Sequence, residues 1–289
     1  MPIWGVDSYS PAHLTAEGSE GHSIYEFVCN YLSRNRRLFG EIQAPQFWGR
    51  YLSQSRPRSS LTAVEKEFLH SRGCRIVLVY NDTSWDQHHD VDCRRELGGG
   101  RHMPLGLTGY QNGAVSAANA CRLANNLSVP DGTRLYADLE GWRVDADWLD
   151  GWCTEVPDAS LRLGRRYVAG IYGRVLGTAE LAVARRTYRR LPDAWSGHVD
   201  QVIRGRQERE GRLIQGVRLS SPIHIWSNMP RWGRRCEGVP ESFQGSSTLG
   251  GQTRTVVWQY GMGCPNLAEL VDMDLATQEG FDEMWRPAQ

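Results

Sequence analysis

The feature that most restricts this chain is the regular exchange of strand-like and helix-like stretches from one end to the other. Ile76-Val-Leu-Val-Tyr80 is the clearest strand, five apolar residues without a polar break. Such runs belong to strands buried on both faces of a parallel sheet. Ile3–Tyr9, Phe47–Leu52, Leu135–Glu140, Tyr167–Tyr172, Pro222–Trp226, Thr255–Tyr260 and Leu270–Leu275 supply further strands. Between them, apolar spacing predicts helices over Ser23–Ser33, Gly109–Leu127, Asp147–Val156 and Thr178–Leu191. Thr62, with Glu65 three residues on, reads as a capping box opening a helix that runs to His70. The stretch up to Pro45, Asn81–Pro104 and Arg234–Thr253 read as loops, and Val199–Leu219 fits neither pattern well.

Alternating strands and helices make a parallel sheet, and about eight strands over 289 residues predict a closed (β/α)8 barrel. The competing architecture is a doubly wound open sheet, which normally carries a glycine-rich turn after its first strand. None is present after Ile3–Tyr9, and no internal repeat or Pro/Ser linker divides the chain. One domain over residues 1–289 is expected.

Net charge is zero, yet Arg162–Arg235 holds 16 Arg against 5 Asp or Glu. The bland source of this bias is GC-rich coding, since Lys66 is the only lysine; the sharper reading is a basic flank facing an anionic polymer. No nucleic-acid role is expected. Seven cysteines without a Cys-x-x-Cys pair speak against a zinc ribbon or thioredoxin-type motif, and leave room for one or two disulfides. No apolar run reaches the roughly 18 residues of a membrane span. Nor does a basic-then-apolar leader precede the first strand. Export with a leader removed, export by another route, and retention inside the cell all remain open at this level.

A barrel makes a strict demand, because its catalytic residues sit at the C-terminal strand ends. Asp7, Asp82, Asp138 with Glu140, and Asp272 with Asp274 fall at predicted strand ends. So do the aromatics Tyr172, Trp226, Trp258 and Tyr260. Asp138 and Glu140 point the same way on a strand, roughly 6 to 7 Å apart at Cα. Neighbouring carboxyls repel, so one holds its proton while the other ionises, as glycoside hydrolysis requires. Aromatic faces can stack on sugar rings, although each aromatic alone is equally well explained by core packing. Asp86-Gln-His-His-Asp-Val-Asp-Cys93 concentrates metal-ligand types. It lacks an i, i+4 His pair and is expected to be a rim loop rather than a metal site. No cofactor is expected.

Taken in order, Trp4-Gly-Val-Asp7-Ser, Ile76–Tyr80, Tyr136-Ala-Asp138-Leu-Glu140, Gly170-Ile-Tyr172-Gly, Trp258-Gln-Tyr260 and Val271-Asp272-Met-Asp274 resemble glycoside-hydrolase-like barrels. The set is similar to the family 25 lysozymes, which are N-acetylmuramidases. It is more similar still to their glycoside hydrolase-like relatives, once catalogued as a domain of unknown function. The resemblance covers nearly the whole chain. It implies that Glu140 protonates the glycosidic oxygen and that Asp138 orients the substrate's acetamido group or holds the second charge. Asp7 and Asp272 would line the floor, with Asp82, Tyr172, Trp226, Trp258, Tyr260 and Asp274 binding substrate. The chain departs from the lysozymes at Asn81-Asp82-Thr83, where they are rich in aromatics, and in its long first loop, Pro11–Gln46. The implied activity is hydrolysis of peptidoglycan or a related aminosugar polymer in the cell envelope. A barrel that binds such a glycan without cutting it, or an effector domain delivered by another machine, are the alternatives.

Overall fold

The structure, a computed structural model, describes residues 2–88, 106–140, 143–144, 146–173, 223–228, 238–240, 243 and 253–287. Eight strands among them close into a barrel: β1 (Ile3–Asp7), β2 (Phe47–Leu52), β3 (Arg75–Tyr80), β4 (Arg134–Asp138), β5 (Val168–Gly173), β6 (Ile223–Asn228), β7 (Thr253–Gly261) and β8 (Asp272–Ala276). Around the barrel the order is β1-β8-β7-β6-β5-β4-β3-β2. Strands β1 to β7 run parallel, as the apolar runs predict.

The last strand departs from the expected (β/α)8 pattern. β8 is antiparallel to both β7 and β1. The cause is the length of the connection, since only 262–271 separates the two strands and its one helical piece is the 3-10 turn Pro265–Leu267. A parallel return needs a crossover of about a dozen residues or more. Reversal has a chemical consequence. Asp272 begins β8 rather than ending it, and it pairs with Asp7 at the end of β1. The two carboxylates therefore reach the same rim only because β8 runs backwards.

Strand alternation separates two apolar layers. Phe47, Val77, Val79, Tyr136, Trp226 and Val257 fill the barrel, while Trp4, Trp48, Leu78, Leu135, Trp258 and Tyr260 pack outward beneath the helices. The end opposite the rim is closed by a polar plug. Arg134 on β4 grips Glu283 with two bonds of 2.7 Å, and the same carboxylate lies 2.7 Å from His224 on β6.

The helices mostly follow the sequence expectations. α1 (Ile24–Arg34) is capped by Ser23, whose pairing with Glu26 is a complete capping box. α2 (Arg36–Phe39) replaces part of the loop expected before Pro45. α3 (Ala63–His70) is capped by Thr62, but the expected box is only half made. The Glu65 carboxylate turns inward instead, to Arg50 Nε at 2.7 Å and the Ala12 amide at 2.7 Å. A fully buried arginine without its counter-charge would cost more than a cap contributes. α4 (Thr83–His88) opens the stretch expected to be a polar loop, and α5 (Tyr110–Asn126) follows. α6 (Ala146–Arg162) continues through Pro157, where a stop was expected. α5 and α6 touch backbone to backbone at two glycines. A Cβ on Gly113 would lie 2.0 Å from the Trp148 carbonyl oxygen, and one on Gly151 would lie 2.0 Å from that of Tyr110. α7 (Gln278–Asp282) leads into the plug. The helix expected over 178–191 and the ambiguous 199–219 lie outside the described residues.

Candidate active site

Asp138 ends β4 and Glu140 lies just beyond it, where the chain leaves the sheet. The Glu140 amide donates to Asp138 Oδ1 at 2.9 Å, which folds the strand end back on itself. Thr83 Oγ1 donates to the Asp138 carbonyl at 2.8 Å and ties the start of α4 to the same point. Glu140 is held at both oxygens. Asn228 Nδ2, at the end of β6, donates to Oε1 at 2.5 Å, and Tyr172 Oη on β5 lies 3.0 Å from Oε2.

Behind this pair lies a second group of acids. Gln259 on β7 donates from Nε2 to Asp7 Oδ2 and to Asp272 Oδ2, each at 2.9 Å, and its Oε1 faces Tyr172 Oη at 3.1 Å. Asp272 also accepts from the Gly263 amide at 2.8 Å. Asp274, one layer deeper, accepts from Trp226 Nε1 at 2.9 Å and neighbours Asp7. Small residues make room here, for a Cβ on Gly49 would stand 2.4 Å from Asp7 Cβ and 2.5 Å from the Trp226 ring.

Five acids around one opening cannot all ionise. Burial, and then the charge of Glu140, push Asp138 up to about 8. Burial lifts Asp272 to about 6 and Asp274 to about 7. Burial and the neighbouring Asp274 and Asp272 hold Asp7 well above the carboxylate range. Tyr51, directed inward from β2, feels the charges of Asp7, Asp138, Glu140 and Asp272, and burial with these charges keeps its phenol neutral. The site thus holds protons at neutral pH, on Asp7 and Asp138 above all.

Of the residues expected from sequence, Glu140, Asp138, Asp7, Tyr172, Asp272 and Asp274 are brought together, with Trp226 buried beneath them. The other three expected substrate contacts lie elsewhere. Trp258 and Tyr260 occupy the outward face of β7, among Phe243, Trp4 and Met273. Gln259, between them, is the inward residue. Asp82 is buried and spends both oxygens on one loop, accepting from Ser53 Oγ, Ser55 Oγ and the amides of Gln54 and Ser55. Asn228, Gln259 and Tyr51 were missed. Period-two counting would have found them, since Asn228 follows Trp226 by two and Tyr51 follows Gly49 by two.

The Asp86–Cys93 stretch is described only to His88. Asp86 serves the fold, accepting from Tyr80 Oη at 2.6 Å and Asn119 Nδ2 at 2.9 Å. Among the described residues, no cluster of His, Cys, Asp or Glu is arranged to hold a metal ion. Cys29, Cys74 and Cys121 are free thiols, whereas Cys264 is disulfide-bonded. No helix among the described residues is long and apolar enough to cross a membrane.

Comparison with solved structures finds distant similarities, of which the first shares the fold. An uncharacterized B. stearothermophilus protein is 22% identical, with a TM-score of 0.62 over 98% of this chain and 100% of that one. The Tat-secreted M. tuberculosis protein Rv2525c, in complex with L-tartrate, is 11% identical with a TM-score of 0.46, over 98% of each chain. The catalytic domain of endolysin ply40, from a phage of Listeria monocytogenes, is 13% identical with a TM-score of 0.45, over 98% of this chain and 97% of that one. No curated protein sequence matches the chain. A family model does match it, over residues 22–217, a span that contains Asp138, Glu140 and Tyr172. The chain belongs to the Rv2525c-like family of glycoside hydrolase-like domains.

Proposed function

We propose that this protein hydrolyses a β-1,4-linked aminosugar polymer, with peptidoglycan as the substrate, and that Glu140 is the general acid. The observation that carries this reading is the mounting of Glu140 at the barrel mouth. Its two oxygens are fixed by Asn228 and Tyr172, and Asp138 lies beside it. An acid must be aimed to protonate a leaving oxygen, and such aiming contributes most of what geometry can add.

In the proposed reaction Glu140 gives its proton to the glycosidic oxygen as the bond from C1 to that oxygen breaks. One water is consumed. Its oxygen bonds to C1 and its proton returns to the enzyme, so that Glu140 is recharged for the next cycle. Asp138, with its pKa at about 8, is protonated at neutral pH and can donate to the carbonyl oxygen of an acetamido group. Asp7, Asp272 and Asp274 form the floor, with Tyr172 and Trp226 as its walls.

The ladder from β1 to β8 joins residues 3–7 to 272–276 and supports one domain over residues 1–289. A disulfide at Cys264 suits an oxidising compartment, which supports export or delivery to the envelope. Mass spectrometry of purified cell walls after digestion tests the reading. A new reducing-end N-acetylmuramic acid is expected from the native protein and none from Glu140→Gln. Wall binding without any soluble product would replace hydrolysis by glycan binding.

A further inference from the structure

We infer that Arg56 forms a cationic subsite beside the acid pair and takes a carboxylate carried by the glycan. The inference rests on the proposed aminosugar substrate for the source of that carboxylate, whereas the placement of Arg56 rests on the loop that carries it. Ser53-Gln-Ser-Arg56 leaves the end of β2 at the rim. Asp82, buried just after β3, accepts four hydrogen bonds from this loop. They come from Ser53 Oγ and the Gln54 amide, each at 2.5 Å, and from Ser55 Oγ at 2.6 Å and its amide at 3.1 Å. The Arg56 backbone is pinned on both sides. Its amide donates to Ser53 Oγ at 2.9 Å, and its carbonyl accepts from the Ser59 amide at 3.1 Å and Ser59 Oγ at 3.0 Å. The residue after Asp82 is Thr83, which donates to the Asp138 carbonyl at 2.8 Å. One dipeptide thus holds both the Arg56 loop and the end of β4, and so sets Arg56 next to the acid pair.

The side chain is as free as its backbone is fixed. Arg56 is exposed, and its guanidinium makes no hydrogen bond or ion pair among the described residues. Arg50, Arg75 and Arg134, by contrast, are matched to Glu65, Asp282 and Glu283. Nor does Asp138 neutralise Arg56. Burial, and then the Glu140 charge, lift Asp138 to about 8, with Arg56 acting the other way. A positive charge is therefore available at the mouth of the barrel. A guanidinium fork matches a carboxylate with two parallel hydrogen bonds. An anchored backbone also leaves less freedom to lose on binding. In N-acetylmuramic acid the lactyl group is carried on the ring carbon next to the acetamido carbon. A ring whose acetamido group meets Asp138 presents that substituent on the same edge. A neutral chitin-type glycan has no carboxylate to offer. Arg56 is on this account a specificity-determining residue, and Asp82 the positioning residue behind it.

Calorimetric titration of the full chain carrying Glu140→Gln tests the subsite, because no probe is cut. One probe is a tetrasaccharide alternating N-acetylglucosamine and N-acetylmuramic acid with free lactyl carboxylates. A second is the same glycan with its stem peptides attached, and the third is chitotetraose. Tighter binding of a charged probe than of chitotetraose is expected. Adding Arg56→Gln should weaken that charged probe by about three- to tenfold and leave chitotetraose unchanged. An effect on the first probe assigns the carboxylate to the lactyl group, and one on the second alone assigns it to the stem, since the lactyl groups there are amides. Arg58→Gln, an exposed arginine of the same loop, should change neither affinity. Asp82→Asn should shrink the preference without weakening chitotetraose. Equal affinity for charged and neutral probes, equal losses on both from Arg56→Gln, or the same selective loss from Arg58→Gln would each overturn the subsite. Equal losses on both from Asp82→Asn would overturn the positioning role. Preference for a charged probe in a protein whose native form releases no muropeptides would refute hydrolysis alone. Muropeptide release without any such preference would refute the subsite alone.

Discussion

At the scale of single residues, the site depends on which face of a strand each side chain takes. Asp138 and Glu140 were read as a pair by the rule that two residues apart means one strand face, yet the strand ends at Asp138. It is the Glu140 amide folding back onto the Asp138 carboxylate that brings them together. The same rule misled on β7, where Trp258 and Tyr260 drew attention by their rings and Gln259 between them was the inward residue. Residue type suggested sugar stacking; alternation assigned those rings to the layer beneath the helices. Asn228 was missed because the apolar run on β6 stops at Trp226, while the strand continues for one more inward position. Asn228→Ala is expected to lower wall hydrolysis by about 10- to 100-fold with little change in fold, since it releases one oxygen of the acid. Muropeptide release against circular dichroism separates the two effects. Gly49→Ala acts on the same site through space alone. Its Cβ would displace Asp7 or Trp226, so a loss of roughly 1 to 3 kcal/mol is expected in chemical denaturation, together with loss of activity.

At the scale of elements, the barrel is held from both ends by charges the sequence did not pair. Arg50 and Glu65 are both fully buried, and they join β2 to α3 and to the first loop through the Ala12 amide. Thr62 and Glu65 announced a cap by their spacing, yet no local signal tells that a carboxylate three residues into a helix will turn to an arginine on a neighbouring strand. The polar plug opposite the rim repeats the device, with Glu283 after α7 bound by Arg134 and His224. These bonds hold Glu283 down to about 2. Glu283→Gln leaves Arg134 buried with a weakened partner and is expected to cost roughly 3 kcal/mol at neutral pH. The sign of the pH effect follows from a lowered pKa. The contribution is complete above the ordinary glutamate range and is lost as pH falls toward about 2, so native and variant stabilities should converge in acid. Denaturant melts at pH 7 and pH 3 measure both ends.

At the scale of the whole molecule, the closing strand and the acid cluster are one design. The order of strands was legible from apolar runs, but the direction of β8 was not, because direction depends on the length of the connection rather than on the strand. Its reversal brings Asp272 and Asp274 against Asp7, and burial raises these acids, with Asp138, above the ordinary carboxylate range. Asp272, Asp274 and Asp138, at about 6, 7 and 8, hold protons that the unfolded chain releases near 4. A folded state binding more protons than the unfolded one loses stability as pH rises. Stability is therefore expected to decline between about pH 4 and pH 8, opposite in sign to the gain from Glu283 that is complete by the start of that window. Asp138→Asn removes the group raised furthest of the three. Its stability curve should be flatter, with its largest advantage over the native protein at the alkaline end. Denaturation midpoints at pH 5, 6.5 and 8 decide the matter: parallel curves would mean that Asp138 ionises in the folded barrel as readily as in water, and that it cannot serve as the proton donor to an acetamido group.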